Sequence, residues 1–157
     1  MASELLNVVV AIGNSVVRKL IVNRLKQNPN LEFPSIFASG VKISEWAEYG
    51  EGCIFCLNSI VTVNIKIGDF FVSNWNCTVG HDCVIDDFVT LYPNVNVSGN
   101  VHIGEITELG TGTQIIQGRR VGKNCIIGAS AVVNKDIQDN SVAVGVPAKV
   151  IKQREVK

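Results

Sequence analysis

The sequence predicts a mainly β chain, a triangular parallel coil of six-residue units preceded by a short strand and helix. Three observations carry this. Reading every sixth residue from Ile43 through Phe55, Ile67, Ile85 and Ile103 to Val133 meets an apolar side chain at every step except Ser73. Chance does not sustain such a register in a chain that is 46% apolar. The next position is often glycine, at Gly50, Gly68, Gly80, Gly104, Gly110, Gly122 and Gly128. Four places after the apolar one the side chains are small or medium, including Ala47, Cys53, Ser59, Cys77, Cys83, Thr107, Thr113, Cys125 and Ala131. One large and one small inward residue per six is too short a unit for a hairpin or a helix pair and suits one flat side of a triangular coil.

The elements follow in order. Residues 7–12 read as a short strand, 13–14 as a turn, and Ser15 as the cap of a helix reaching about residue 27. Val16, Val17, Leu20, Ile21 and Leu25 lie near one face of that helix, and the Asn28-Pro29-Asn30 run stops it. Residues 1–40 thus form a partial N-terminal α/β segment, and residues 41–157 the coil with a polar C-terminal tail. Three units make a turn of about 18 residues, and about five turns at the 4.8 Å strand spacing give a prism about 24 Å long. Each inward aliphatic side chain contributes about 1.5–3 kcal/mol on burial, so the coil is the stability core.

Composition narrows the partners. The 157 residues carry 14 basic and 14 acidic side chains and no basic run, which disfavours nucleic acid and anionic membrane. The N-terminus shows no cationic start followed by a long apolar stretch, so the expected location is the cytoplasm. Five cysteines, an odd number, point to free thiols, and four of them fall at the small-residue positions of the repeat. Cys53 and Cys56 form a CxxC without a second ligand pair, so no metal is expected.

The chemistry-bearing residues are few. His81 and His102 are the only histidines. Histidine is the usual base for taking a proton from an acceptor that attacks a thioester. His81 sits two places after Val79, off the inward row, and Asp82 follows it. A solvated surface histidine beside an acid is the alternative reading. Gly99 lies 18 residues on from His81, one whole turn, and is predicted to stack beside it. A glycine there leaves room for a thioester and offers a backbone N–H to an oxyanion, although glycine is also common at turns. Arg119 occupies a small-residue slot and is expected to turn outward. Like Lys123, Lys135 and Lys149, it is a candidate for meeting a cofactor phosphate.

Four stretches carry a family resemblance: VVVAIGN at 8–14, VGHDCVI at 79–85, SGNV at 98–101 and GVPAKVIK at 145–152. With the hexapeptide repeat, they make the chain resemble the left-handed β-helix acyltransferases. More narrowly, it resembles the sialic-acid O-acetyltransferase and bacillosamine-pathway sugar N-acetyltransferase group. The resemblance implies a left-handed coil, acetyl-CoA as co-substrate and a homotrimer with active sites between subunits. It implies His81 as general base, Asp82 as the acid that orients it, and the Gly99 amide as oxyanion donor. Asn74 matches a residue near the acceptor, and Thr111 and Ala129 match positions holding the pantetheine arm. Thr90 stands where the family's best-known members carry a histidine against cofactor or substrate, so a hydroxyl is expected to serve there. The strand and helix match the end of a Rossmann-like nucleotide-binding domain whose opening strand and glycine-rich turn have no counterpart in this sequence.

The expected function is acetyl transfer from acetyl-CoA to a nucleotide-linked amino sugar. O-acetylation of serine, a simple sugar or sialic acid is the nearest alternative, and a non-catalytic β-helix module is another. A γ-type carbonic anhydrase needs three histidine ligands, which two histidines 21 residues apart do not supply within one chain.

Overall fold

In the computed structural model, which describes residues 5–155, nearly every six-residue unit of the coil is a two- or three-residue strand followed by a turn. Strands 18 residues apart pair in parallel, as Val79 does with Val61 on one side and Val97 on the other. The result is a left-handed β-helix with three sheets, here called one, two and three in chain order, of eight, six and five strands. Six strands in sheet two make six rungs, one more than predicted. All six lie within the apolar register, from Lys42–Ile43 to Val132–Val133, and in sheet one Ile36–Phe37 extends the coil further by pairing with Ile54–Phe55.

The inward row is almost fully buried from Phe55 to Val133, whereas Tyr49 is 45% exposed at the open first rung. Cys53, Cys77, Cys83 and Cys125 are buried free thiols filling space between the row residues. Burial pushes the Cys53 thiol up to about 11.

The corners explain the asparagines. Asn58, Asn76 and Asn94 line the corner between sheets one and two, and Asn64, Asp82 and Asn100 that between two and three, all at positive φ. Asn and Asp tolerate this left-handed conformation better than other side chains, because their short polar groups bond locally. Here they bond up the coil, Asn58 Nδ2 to Asn76 at 3.0 Å and Asn76 Nδ2 to Asn94 at 3.2 Å. At the third corner the same conformation is imposed on Phe70, Phe88 and Ile106. That costs about 1–2 kcal/mol per residue, and burial under the N-terminal helix offsets it for Phe70 and Phe88, whose rings stack at 5.3 Å.

The N-terminal segment differs from its prediction in three ways. Only Leu6–Asn7 forms strand pairing, with Leu31–Glu32, while residues 8–12 run on without it. The helix spans Ser15–Leu25, and its cap is Asn14, whose side chain accepts from the Val17 N–H at 2.9 Å. Its buried residues are Ser15, Arg18 and Val22, leaving Val17 43% and Leu20 66% exposed. The helix turns this side inward because the coil meets it with carbonyl groups. Arg18, 0% exposed, donates to Phe70, Phe88 and Val89 of the coil at 2.8–3.3 Å, and to Ile12 and Gly13 of the turn before the helix. Burial pushes its guanidinium down to about 10, opposed by the nearby Glu108 carboxylate, so it stays charged at neutral pH. At the other end, Ser141–Val144 joins sheet one and Lys149–Gln153 folds back antiparallel over it.

Candidate active site

Position 81 falls at the corner between sheets two and three, just past the Thr78–Val79 strand, where the chain leaves the coil wall and presents its side chain outward. His81 is half exposed, and its Nδ1 lies 2.7 Å from Asp82 Oδ2. A carboxylate only accepts, so Nδ1 carries a proton, and in the neutral imidazole the lone pair is therefore on Nε2. The hydrogen bond from His81, then one from Asn64 Nδ2 at 3.2 Å, holds the exposed Asp82 carboxyl below its ordinary range. Asn64 does not figure among the residues expected from the sequence, although it lies 18 residues before Asp82 and the repeat places it one rung below.

Gly99 stacks beside His81 as predicted. It is buried under the imidazole, and a Cβ built on it would stand 2.4 Å from His81 Nε2. At the corner between sheets three and one, the N–H groups of Glu51, Asp69 and Lys123 are taken by aspartate side chains of the next rung. No described residue takes the Gly99 N–H in this way. The corner thus presents a lone pair on Nε2 beside an uncommitted backbone donor.

The other predicted residues lie elsewhere. Thr111 and Ala129 are exposed neighbours on the corner between sheets one and two. Lys149, also exposed, pairs with Val144, which a Cβ on Gly128 would meet, so the three climb that corner toward the C-terminal end. Asn74 lies on the same corner further down, half buried, its Nδ2 donating to Leu91 O at 2.9 Å.

Thr90 departs from the expected cofactor role. It is 0% exposed, its hydroxyl donating to Gly13 O at 2.8 Å and lying 3.1 Å from Ser15 Oγ. A hydroxyl is short enough to be covered by the N-terminal turn, and here it fastens that turn to sheet one.

His102 sits on sheet three between Asp86, at 3.1 Å, and Arg120, at 3.1 Å, and does not stack with His81. Arg119 is partly exposed, with Asp136 at 3.9 Å. Among the described residues no group of three or more His, Cys, Asp or Glu is placed to hold a metal, and no helix is long and apolar enough to cross a membrane.

No protein-family model matches the chain. Among solved structures, WeeI from Acinetobacter baumannii AYE is similar with a TM-score of 0.91 at 36% identity, over 96% of this chain and 73% of that one. The acetyltransferase domain of PglB from Neisseria gonorrhoeae FA1090, in complex with acetyl coenzyme A, gives 0.88 at 32% identity, over 92% and 70%. A mutant of perosamine N-acetyltransferase from Caulobacter crescentus, in complex with CoA and GDP-perosamine, gives 0.90 at 28% identity, over 94% and 70%. The chain spans between 37% and 56% of the length of the first three curated relatives it matches. Likeness to the PglB acetyltransferase domain, the perosamine N-acetyltransferase and WeeI over nearly the whole chain, together with the six-residue coil, shows that the chain belongs to the left-handed β-helix, hexapeptide-repeat acyltransferases, in their sugar acetyltransferase group.

Proposed function

We propose that the chain transfers an acetyl group from acetyl-CoA to the amine of a nucleotide-linked sugar, with His81 as general base. The observation that carries this reading is the His81 corner, where Asp82 fixes Nδ1 as the donor and the absence of a side chain at Gly99 lets the imidazole lie directly over the Gly99 backbone. The acceptor nitrogen attacks the thioester carbonyl while Nε2 takes its proton. The tetrahedral oxyanion is stabilised by the Gly99 N–H. As it collapses the C–S bond breaks, and the CoA thiolate leaves with the proton returned from the imidazolium.

Thr111, Ala129 and Lys149 suit the pantetheine arm and a cofactor phosphate. In one chain they stand on a different corner from His81, so a site using both sets is assembled from two neighbouring chains. This supports a homotrimer. A nucleotide-linked acceptor agrees with the GDP-perosamine bound in the Caulobacter enzyme. Acetyl-CoA and nucleotide sugars are cytoplasmic metabolites, which is where the chain acts in this reading.

The test is CoA release from acetyl-CoA with a panel of nucleotide-linked amino sugars, matched hydroxyl sugars and serine, alongside light scattering. Turnover confined to the amino sugars, from a trimer, is expected. Preference for a hydroxyl acceptor, or an active monomer, would overturn the corresponding part.

Gly99→Ala probes the corner more narrowly. Its single added carbon displaces the imidazole, and turnover is expected to fall about 100- to 1,000-fold. The inward row is untouched, so the thermal midpoint should move by no more than about 2 °C. Full activity in this variant would mean that the space beside His81 is not used.

A further inference from the structure

Beneath the N-terminal turn lies a polar cluster that the proposed chemistry does not use. Glu108 points out of sheet one and is 7% exposed. Its Oε1 accepts the Ser15 N–H at 2.9 Å, and its Oε2 accepts the Tyr92 hydroxyl at 3.2 Å. Tyr92, only half buried, stands where sheet one meets the corner leading to sheet two. The strand register puts it one rung above Asn74 and one rung below Gly110, the residue preceding Thr111. A Cβ on Gly13 would lie 3.5 Å from the phenol oxygen, so the turn packs against one side of the partly exposed phenol.

Tyr92 thus occupies the seam between the N-terminal turn and the coil, between the residue matched to the acceptor and those matched to the pantetheine arm. Burial, and then the Glu108 charge, raises the phenol above its ordinary range, which keeps it protonated. Its proton is given to Glu108, so the oxygen's lone pairs remain for a donor arriving from outside. A carboxylate behind the phenol strengthens that acceptor.

We propose that Tyr92, backed by Glu108, is the residue that selects an amino acceptor, its phenol oxygen taking a hydrogen bond from the substrate's amine. This rests on the acetyltransferase reading above. An amine keeps an N–H for Tyr92 while yielding another proton to the base, whereas a hydroxyl acceptor has a single proton to give.

Tyr92→Phe tests the role, because it keeps the ring under Gly13 and removes only the hydroxyl. The KM for a nucleotide-linked amino sugar is expected to rise roughly tenfold, with the KM for acetyl-CoA unchanged, while the lost hydrogen bond to the buried Glu108 lowers the thermal midpoint by a few degrees on any reading. Glu108→Gln, which keeps a hydrogen-bonding group in place without the charge, should raise the acceptor KM by a smaller factor. An unchanged acceptor KM in Tyr92→Phe, or both KM values rising together, would show that the phenol only fastens the turn. Wild-type protein that transfers acetyl to no amino sugar would remove the acetyltransferase reading and this role with it. Normal wild-type transfer with an indifferent Tyr92→Phe would remove this role alone.

Discussion

Replacing His81 by Asn or Ala is expected to slow acetyl transfer about 100- to 10,000-fold while the coil stays folded. The side chain is half exposed and contributes nothing to the inward row, so its loss leaves the packed core intact. What disappears is the imidazole nitrogen Nε2 that lies against Gly99. His102→Ala is the internal control. That residue lies on sheet three between Asp86 and Arg120, and its loss should leave turnover near normal. Asp82→Asn should give an intermediate loss, because an amide can hold the ring but no longer stabilises the imidazolium that forms. Equal losses in the two histidine variants, or near-normal turnover without His81, would sink the mechanism.

Arg18→Met is expected to loosen the N-terminal segment by about 3–5 kcal/mol. The methionine keeps the buried stem but none of the donors, and the carbonyls of Ile12, Phe70 and Phe88 lose the only hydrogen bonds described for them. Each buried orphan costs about 1–3 kcal/mol. The coil's own ladder is unaffected, so the damage is local. Amide exchange in Ser15–Leu25 should accelerate roughly 150- to 5,000-fold while the strands of sheets two and three keep their protection. Arg18→Lys should recover only part of the loss, since a single ammonium does not reach five carbonyls spread over turn and coil. Unchanged exchange in the helix would show that apolar contacts around Val22 and Phe70 suffice to hold it.

The six-residue repeat by itself determines the coil, its rung length and the pairing of Val79 with Val61 and Val97. In a solenoid each rung packs only on its neighbours, so contacts fall at one fixed sequence separation and a periodic sequence records them. The same regularity makes the stacking of Gly99 beside His81 legible, and the same interval counted down the coil leads from Asp82 to Asn64. The N-terminal helix lacks that advantage. Its apolar pattern suggests a face including Val17 and Leu20, yet the buried side carries Ser15 and Arg18. Its contacts span 52 residues from Arg18 to Phe70 and 93 from Ser15 to Glu108, with no recurring interval. Thr90 escapes the repeat for the same reason, its surroundings being set by a turn 77 residues away. Only the docking of helix on coil decided which polar groups are buried together, because a buried donor must find its acceptor wherever the fold brings one within reach.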